Sequence, residues 1–414
     1  MSEQRDTTHK RTGELRVAYI IGTHPSLTTT FIAREVVLLQ EWGVHLQVLS
    51  IRRPSGQLSP ELKALERGVV YLLPVRILSF LAGHLRFAVQ RPGSYFGTLF
   101  YLLTRPHPNL KARFKTFLHF GEAVCAAYLL GHFRCDRIHA HFVDRAATVA
   151  LVASRLLQVP YSVTAHAGDI YVAPVLLREK LSGATFVATC SAYNKTHLSR
   201  LAKGEFNGKV KCIYHGLNVS HYQPESCAPQ GKPVVMAVGQ LKERKGFAYL
   251  LKACRLLKDR GYDFECQIVG EGPLRETLEA QIRQLSLEDT VVLCGALPHQ
   301  EVLERYKRAS IFALPCILGA DGDRDGIPNV ILEAMAMELP VVSTRHSGIP
   351  EVTEDGVNGL LVPPADAAVL AKALGKLLDD PDSRRQLGRR GRQTVIQNFD
   401  LEQNVKRLLA EFYT

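Results

Sequence analysis

The chain has 414 residues, 46% of them hydrophobic and 22% charged, with a formal net charge of +11. The length is natural for two domains, and the apolar content excludes a disordered chain. Nine cysteines with no C-x-x-C spacing argue against zinc ribbons and disulfide frameworks, while the positive surplus favours a polyanionic partner without choosing among nucleic acid, anionic lipid and a phosphorylated substrate.

The first thirteen residues, MSEQRDTTHKRTG, are polar and lack the apolar run of a signal peptide, and no run of about 18 apolar residues follows, so neither a leader nor a membrane-spanning helix is expected. LRVAYII (15–21) predicts a buried strand. TTFIAREVVLLQEWG predicts an amphipathic helix ending near Gly43, and VHLQVLSI (44–51) the next strand. This β-α-β pattern recurs in DRIHAHF, RAATVALVASRLLQ and PYSVTAH, then in FVATCS and KVKCIYHG. Strands alternating with helices argue for a parallel sheet covered on both faces.

Residues 75–134 depart from that pattern. Eight are Lys or Arg, the only acid is Glu122, and apolar and aromatic residues are interleaved, as in LSFLAGHLRFAVQ and YFGTLFYLLTRP. Basic amphipathic helices able to lie on an anionic membrane are predicted; packed helices with a solvated basic face would read the same way. Base stacking beside the basic residues is a further option, but no RRM, KH or helix-turn-helix pattern accompanies it.

YQPESCAPQGKP (222–233) is a Pro- and Gly-rich break that reads as a linker. Beyond it the alternation restarts: VVMAVGQ, a helix over 247–261, FECQIVG, a helix over 274–285, TVVLCG, a helix over 300–310, IFALPC, a helix opening at Pro328, and PVVST. Two doubly wound domains are predicted, 1–228 with the insert at about 75–134, and 229–395, followed by a helix over 396–414 packing back on the first. Ligands of such sheets bind beyond the C-terminal strand ends.

GADGDRDGIPNVILEAMA (319–336) admits two chemistries. Read as a calcium loop from Asp321, its glycine falls correctly at position six, but position twelve is Leu332 and the glutamate, Glu333, comes one residue late. That slip turns the side chain by about 100° on a helix. Read as a helix entry, Pro328 suits the first turn and Gly326 lets the backbone approach a ligand. The free N–H groups make a site for phosphate or sugar hydroxyls. Asp325 and Glu333 then serve hydroxyls, although Asp325 could be a plain N-cap. Among other candidates, His139 and His141 share one strand face and could ligate a metal, but no third ligand is near in sequence, so acceptor-side contacts or strand-end polarity are preferred. GEGP (270–273) is half a nucleotide fingerprint or a tight strand-to-helix turn.

The carboxylate-x7-Glu spacing, with AMAMELPVVSTRHSGIPEV and GVNGLLVPP after it, resembles the donor site of retaining GT-B glycosyltransferases of family 4 (glycosyl transferases group 1). VMAVGQLKERKGFAYLLKA and IVGEGPLRETLE resemble that family's first two loops of the C-terminal domain. TAHAGDIY and HAHF resemble the branch that works on exopolysaccharide or colanic-acid-type chains. The resemblance covers nearly the whole chain and implies the α/β GT-B fold, two tandem Rossmann-like domains facing across a cleft.

The roles it implies are these. Glu333 binds the nucleotide ribose. Asp325 holds donor-sugar hydroxyls with the backbone of Gly326, Ile327, Pro328 and Asn329. Lys245 neutralises the diphosphate with Arg244, and Gly239, Gln240, Gly270 and Gly272 line the donor site. Gly22 lets an N-terminal loop approach the phosphates, His166 touches the donor sugar near the reacting carbon, and His139, His141 and Asp169 lie on the acceptor side. No metal or cofactor is expected. Two positions depart from the family: Asp325 stands where Glu is usual, and Gln240 where Arg is usual, so Lys245, Arg244 or Lys242 must carry more of the diphosphate. The expected activity is transfer of a hexosyl group from a UDP- or GDP-sugar to a lipid-linked or growing polysaccharide acceptor, with retention and without metal, by a cytoplasmic protein peripheral at the inner face of the plasma membrane. A nucleotide-sugar epimerase, or a non-catalytic nucleotide-sugar-binding subunit, is the alternative on the same fold.

Overall fold

The computed structural model describes residues 15–26, 29–55, 58, 60–172, 174–201, 206, 208–225 and 231–414. The polar stretch expected over 1–13 and the middle of the expected linker, with Cys227, lie outside these residues. The eight described cysteines are all free.

The chain forms two compact units. The first takes residues up to Cys190 with Lys195–Ile213 and Val405–Thr414, and the second takes Ser191–Asn194 and Tyr214–Asn404. The division falls ahead of the Pro- and Gly-rich stretch. Leu217 and Tyr222 are already buried in the core of the second unit, and Leu217 bridges Asp400 there.

The strands of the first unit are β1 (Arg16–Thr23), β2 (His45–Arg52), β3 (Val69–Tyr71), β4 (Arg137–His141), β5 (Tyr161–Ala165), β6 (Val187–Thr189) and β7 (Val210–Cys212). They pair in parallel in the order β3-β2-β1-β4-β5-β6-β7. The second unit holds β8 (Val234–Val238), β9 (Glu265–Val269), β10 (Val291–Gly295), β11 (Ile311–Leu314), β12 (Val341–Thr344) and β13 (Leu360–Val362), also parallel, in the order β10-β9-β8-β11-β12-β13. Central strands such as RVAYIIGT and IFAL are apolar on both faces because helices cover both sides of a parallel sheet. The edge strands β3 and β13, three residues each, are additions to the predicted set; neither is long enough to show a period.

In both sheets the order reverses direction once, between β1 and β4 and between β8 and β11. Such switch points open a crevice at the C-terminal strand ends, and the loops that follow β8 and β11 carry Gly239, Gln240, Arg244, Lys245 and Asp325.

The predicted basic insert is three helices, Ile77–Gln90, Pro92–Thr104 and Leu110–Phe133. Asn109 caps the third by accepting the Ala112 N–H at 2.8 Å. Gly83 lets the first approach Val124 and Tyr128 of the third, and Gly121 lets the third approach the Phe80 ring. The acid Glu122 pairs with Arg145. The inward face is buried through Phe87, Leu102, Phe120 and Ala123–Ala127.

Candidate functional site

In the second unit the loop after β8 and the loop after β11 converge. The first, GQLKERK, ends in a short 3-10 turn over Glu243–Lys245 and a left-handed Gly246, whose absent side chain leaves room for the Pro315 carbonyl. That turn presents two cations to one carboxylate. Lys245 Nζ lies 2.9 Å from Asp325 Oδ2, and Arg244 Nε lies 3.2 Å from Asp325 Oδ1. Arg244 also pairs with Asp323 through Nη1. Burial alone would raise the Asp325 carboxyl, but Lys245 and then Arg244 outweigh it and hold it below the ordinary carboxylate range. The Cys316 thiol adds a long contact of 3.6 Å.

The aspartates are therefore spent on cations and backbone. Asp321 Oδ1 accepts the Asp323 N–H at 2.9 Å, the Asp323 carbonyl accepts the Gly319 N–H at 2.9 Å, and Glu243 accepts the Ala320 N–H at 2.9 Å. This is a salt-bridged loop tied to the 243–245 turn and not a ring of carboxylates round a cation.

The helix behind it spans Asn329–Ala336, with Pro328 as its extended N-cap. Gly326 and Pro328 are buried, Ile327 and Asn329 half-buried. Glu333 sits on the fifth residue of the helix, largely buried. The Tyr306 hydroxyl approaches Glu333 Oε2 at 3.4 Å. Burial raises the Tyr306 phenol, and the neighbouring Glu333 charge raises it further.

The GEGP turn after β9 straps to the β8 loop. Gly239 N–H donates to Val269 O at 2.9 Å and Leu241 N–H to Glu271 O at 3.0 Å. A Cβ on Gly270 would stand 1.9 Å from Gly239 O, and one on Gly272 2.7 Å from Leu241 N. Gly239 itself packs under the Lys245 side chain. These glycines shape the turn that carries Lys245. Gln240 is exposed at its tip.

The first unit gathers a different set of groups. Glu35, from the helix Thr30–Glu41, accepts from the Tyr19 hydroxyl at 2.7 Å and lies 3.1 Å from His141 Nε2. His139 places Nδ1 2.8 Å from Ser162 Oγ and Nε2 2.9 Å from Thr164 Oγ1. Both rings are fully enclosed, and their bonds serve the interior, tying β4 to β5 and to the helix, which is the strand-end polarity that the sequence offered beside an acceptor-side contact. Glu35 supplies the third group that sequence spacing lacked, and with His139 and His141 it has ligand atoms close enough to hold a metal ion. Its oxygen already serves Tyr19 and His141, however, and both His139 nitrogens serve hydroxyls. His141 Nδ1 is buried with no partner among the described residues.

His166 follows β5 as the N-cap of the short helix Ala167–Tyr171, its ring beside Phe142 at 4.1 Å and stacked on His141 at 5.9 Å between centroids. Asp169 accepts the His166 N–H at 2.8 Å and also the Val143 N–H. Burial pushes its carboxyl up to about 8. Asp169 thus fixes the His166 turn. Buried Lys180 donates to the Val143 and Asp144 carbonyls, and burial lowers its ammonium to about 8. Gly22, near the end of β1, has open space where a side chain would point. His24, two residues on, is buried with neither ring nitrogen bonded. Glu243, Tyr306, Glu35, Lys180 and His24 are not among the sequence candidates, and Asp323 entered there only as a carboxylate of the calcium-loop reading. Glu35 and Lys180 had one signal, a charge placed on a buried helix face.

Residues 220–394 match the family described as glycosyl transferases group 1. Over 204 residues the chain is 41% identical to the putative colanic acid biosynthesis glycosyltransferase WcaL of Salmonella typhimurium, a match covering 49% of this chain and 50% of that protein. Over 143 residues it is 46% identical to the amylovoran biosynthesis glycosyltransferase AmsK of Erwinia amylovora, 34% of this chain and 35% of that one. The chain spans about half the length, or less, of these curated relatives. Among solved structures, a glycosyltransferase from Rickettsia africae superposes with a TM-score of 0.70 at 17% identity, covering 96% of this chain and 97% of that one. HepE of Anabaena in complex with UDP gives 0.69 at 15%, covering 96% and 99%. At such identities the likeness is one of fold. The chain thus has the GT-B architecture of two Rossmann-like units, and its residues 220–394 are similar to the glycosyl transferases group 1 family.

Proposed function

We propose that the chain is a retaining glycosyltransferase that moves a hexosyl group from a UDP- or GDP-sugar to a lipid-linked or growing acceptor of a cell-surface polysaccharide. The observation that carries this reading is the Asp325 carboxylate gripped by Lys245 and Arg244 at the mouth of the helix Asn329–Ala336. An arriving diphosphate competes for the same two cations. As Lys245 and Arg244 turn to the phosphates, Asp325 is released to accept from sugar hydroxyls, and helix N–H groups face the negative charge. Glu333, four residues into the helix and largely buried, takes the ribose hydroxyls. Catalysis is then positioning plus stabilisation of a departing diphosphate by fixed cations, with a donor phosphate oxygen taking the acceptor proton. The reading needs no metal. The polysaccharide roles in the names of WcaL and AmsK, and UDP in the HepE complex, support the acceptor and donor classes. A cytoplasmic location at the inner face of the plasma membrane follows from such substrates.

The test is a pair of measurements on the purified chain. UDP or GDP is expected to raise the melting temperature, and a nucleotide-sugar screen on a lipid-diphosphate acceptor, read by mass spectrometry, is expected to give a transferred hexose. Lys245→Ala and Asp325→Ala should each lower transfer by about 100-fold or more. Nucleotide binding with no transfer to any acceptor would favour the non-catalytic subunit, and no shift with any nucleoside diphosphate would reject the donor site.

A further inference from the structure

Of the twenty large apolar side chains exposed among the described residues, twelve lie between Val75 and Leu118. They form second stripes on helices whose inward faces are already packed. On Ile77–Gln90 the outward stripe runs through Leu78, Leu81 and Leu85, with Leu78 84% exposed; on Pro92–Thr104 it includes Phe100, 71% exposed; on Leu110–Phe133 it includes Phe114 and Leu118. The spacing of three to four residues sets each stripe on one side of its helix. Phe80 against Gly121, and Gly83 against Val124, lay the first and third helices side by side in parallel, so Ile77 and Leu118, each three residues earlier, sit at one level. At roughly 150–250 Å² for a fully presented aromatic side chain and less for an aliphatic one, the four phenylalanines and eight aliphatic residues together expose on the order of 1,000 Å². The largest patch on a monomer is normally about 300–600 Å².

Charge selects the occupant. Arg76, Arg86, Arg105, Lys111, Arg113 and Lys115 are exposed among these residues, and the nearest acid, Glu122, is engaged by Arg145. A second copy of this face would bring cation against cation. An anionic lipid leaflet meets both features, because long basic side chains reach the headgroups while the stripes sink beneath them. No helix among the described residues is long and apolar enough to cross a membrane.

We infer that the outward sides of these three helices insert into the interfacial layer of an anionic bilayer leaflet, anchored by apolar burial and steered by charge. The inference rests on the peripheral-membrane reading above and specifies how the contact is made. Charge-only adhesion dissolves when salt shortens the screening length, whereas buried apolar side chains do not respond to it.

The experiment is flotation of the full chain with vesicles of phosphatidylcholine alone and with phosphatidylglycerol added. The chain is expected to float with the anionic vesicles and to stay with them in about 1 M NaCl, where the screening length is about 3 Å. The combined variant Leu78→Glu, Leu85→Glu, Phe114→Glu changes exposed positions, so its melting temperature should hold while vesicle affinity falls by about 100-fold or more. Complete release of the wild type by salt, or flotation of the variant equal to wild type, overturns insertion. So does a wild-type oligomer that the variant breaks while neither floats, which makes the face a self-association surface. Nucleoside-diphosphate stabilisation measured on the same proteins reports on the second unit alone, so its loss with flotation intact counts against the donor site and not against insertion.

Discussion

Asp323 touches no expected ligand position, yet it fixes the direction of Arg244, one of two cations on Asp325. With Arg absent at Gln240, the aim of Arg244 matters more. Asp323→Asn is expected to raise KM for the donor about three- to tenfold with kcat changed less than about threefold, and Asp323→Glu to restore most of it. Equal loss of kcat and kcat/KM would place Asp323 in the reacting set. His24 offers a residue-scale test of stability. Burial, then the neighbouring His141, lowers its imidazole to about 4. The unfolded chain protonates it near 6.5 and the folded chain only near 4, so its contribution is complete above about 6.5 and is lost as pH falls from there to 4. His139 is lowered in the same direction. The raised Asp169 carboxyl acts in the opposite sense between about pH 4 and 8, so His24 is read from a difference: the unfolding free energy of wild type minus that of His24→Gln, from urea titrations, should hold steady from about pH 7 to 8 and fall below about 6.5 by an amount on the order of 2–3 kcal/mol.

At the scale of elements, the turn after β9 is a packing device. Gly270 has φ +146° and no room for a Cβ beneath Gly239 O. Gly270→Ala is expected to cost about 2–4 kcal/mol, and to weaken nucleoside-diphosphate protection by displacing the Lys245 turn. An unchanged melting temperature would mean that the two loops separate at no cost. The alternation of β-branched strands and amphipathic helices made both sheets readable, because hydrophobic period depends on nearest neighbours. The Asp325–Glu333 spacing was readable for the same local reason. Glu35 meeting His141 was not, since 106 residues separate them and only the pairing of β1 with β4 brings them together. Asp323 holding Arg244 was hidden likewise, across 79 residues. Residues 75–118 read as basic and amphipathic, but composition does not tell an apolar face turned inward from one turned outward; Leu78 and Phe87 look alike until the helices are packed.

For the whole molecule, the proposed chemistry draws its positive charge from side chains and helix ends, so transfer activity is expected to survive EDTA. Activity abolished by EDTA and restored by manganese or calcium would return the 321–325 loop to the status of a metal site.

The polypeptide passes from the first unit to the second and ends in the first, where Phe412 sits among Tyr19, His139 and Phe186 at 5.2–6.3 Å between ring centroids. Expression of residues 1–213 by themselves would therefore strip the aromatic lid from the histidine cluster. An isolated N-terminal half would need its last ten residues supplied through a fused tail or an added peptide before it could serve for labelling, crystallisation or ligand screening.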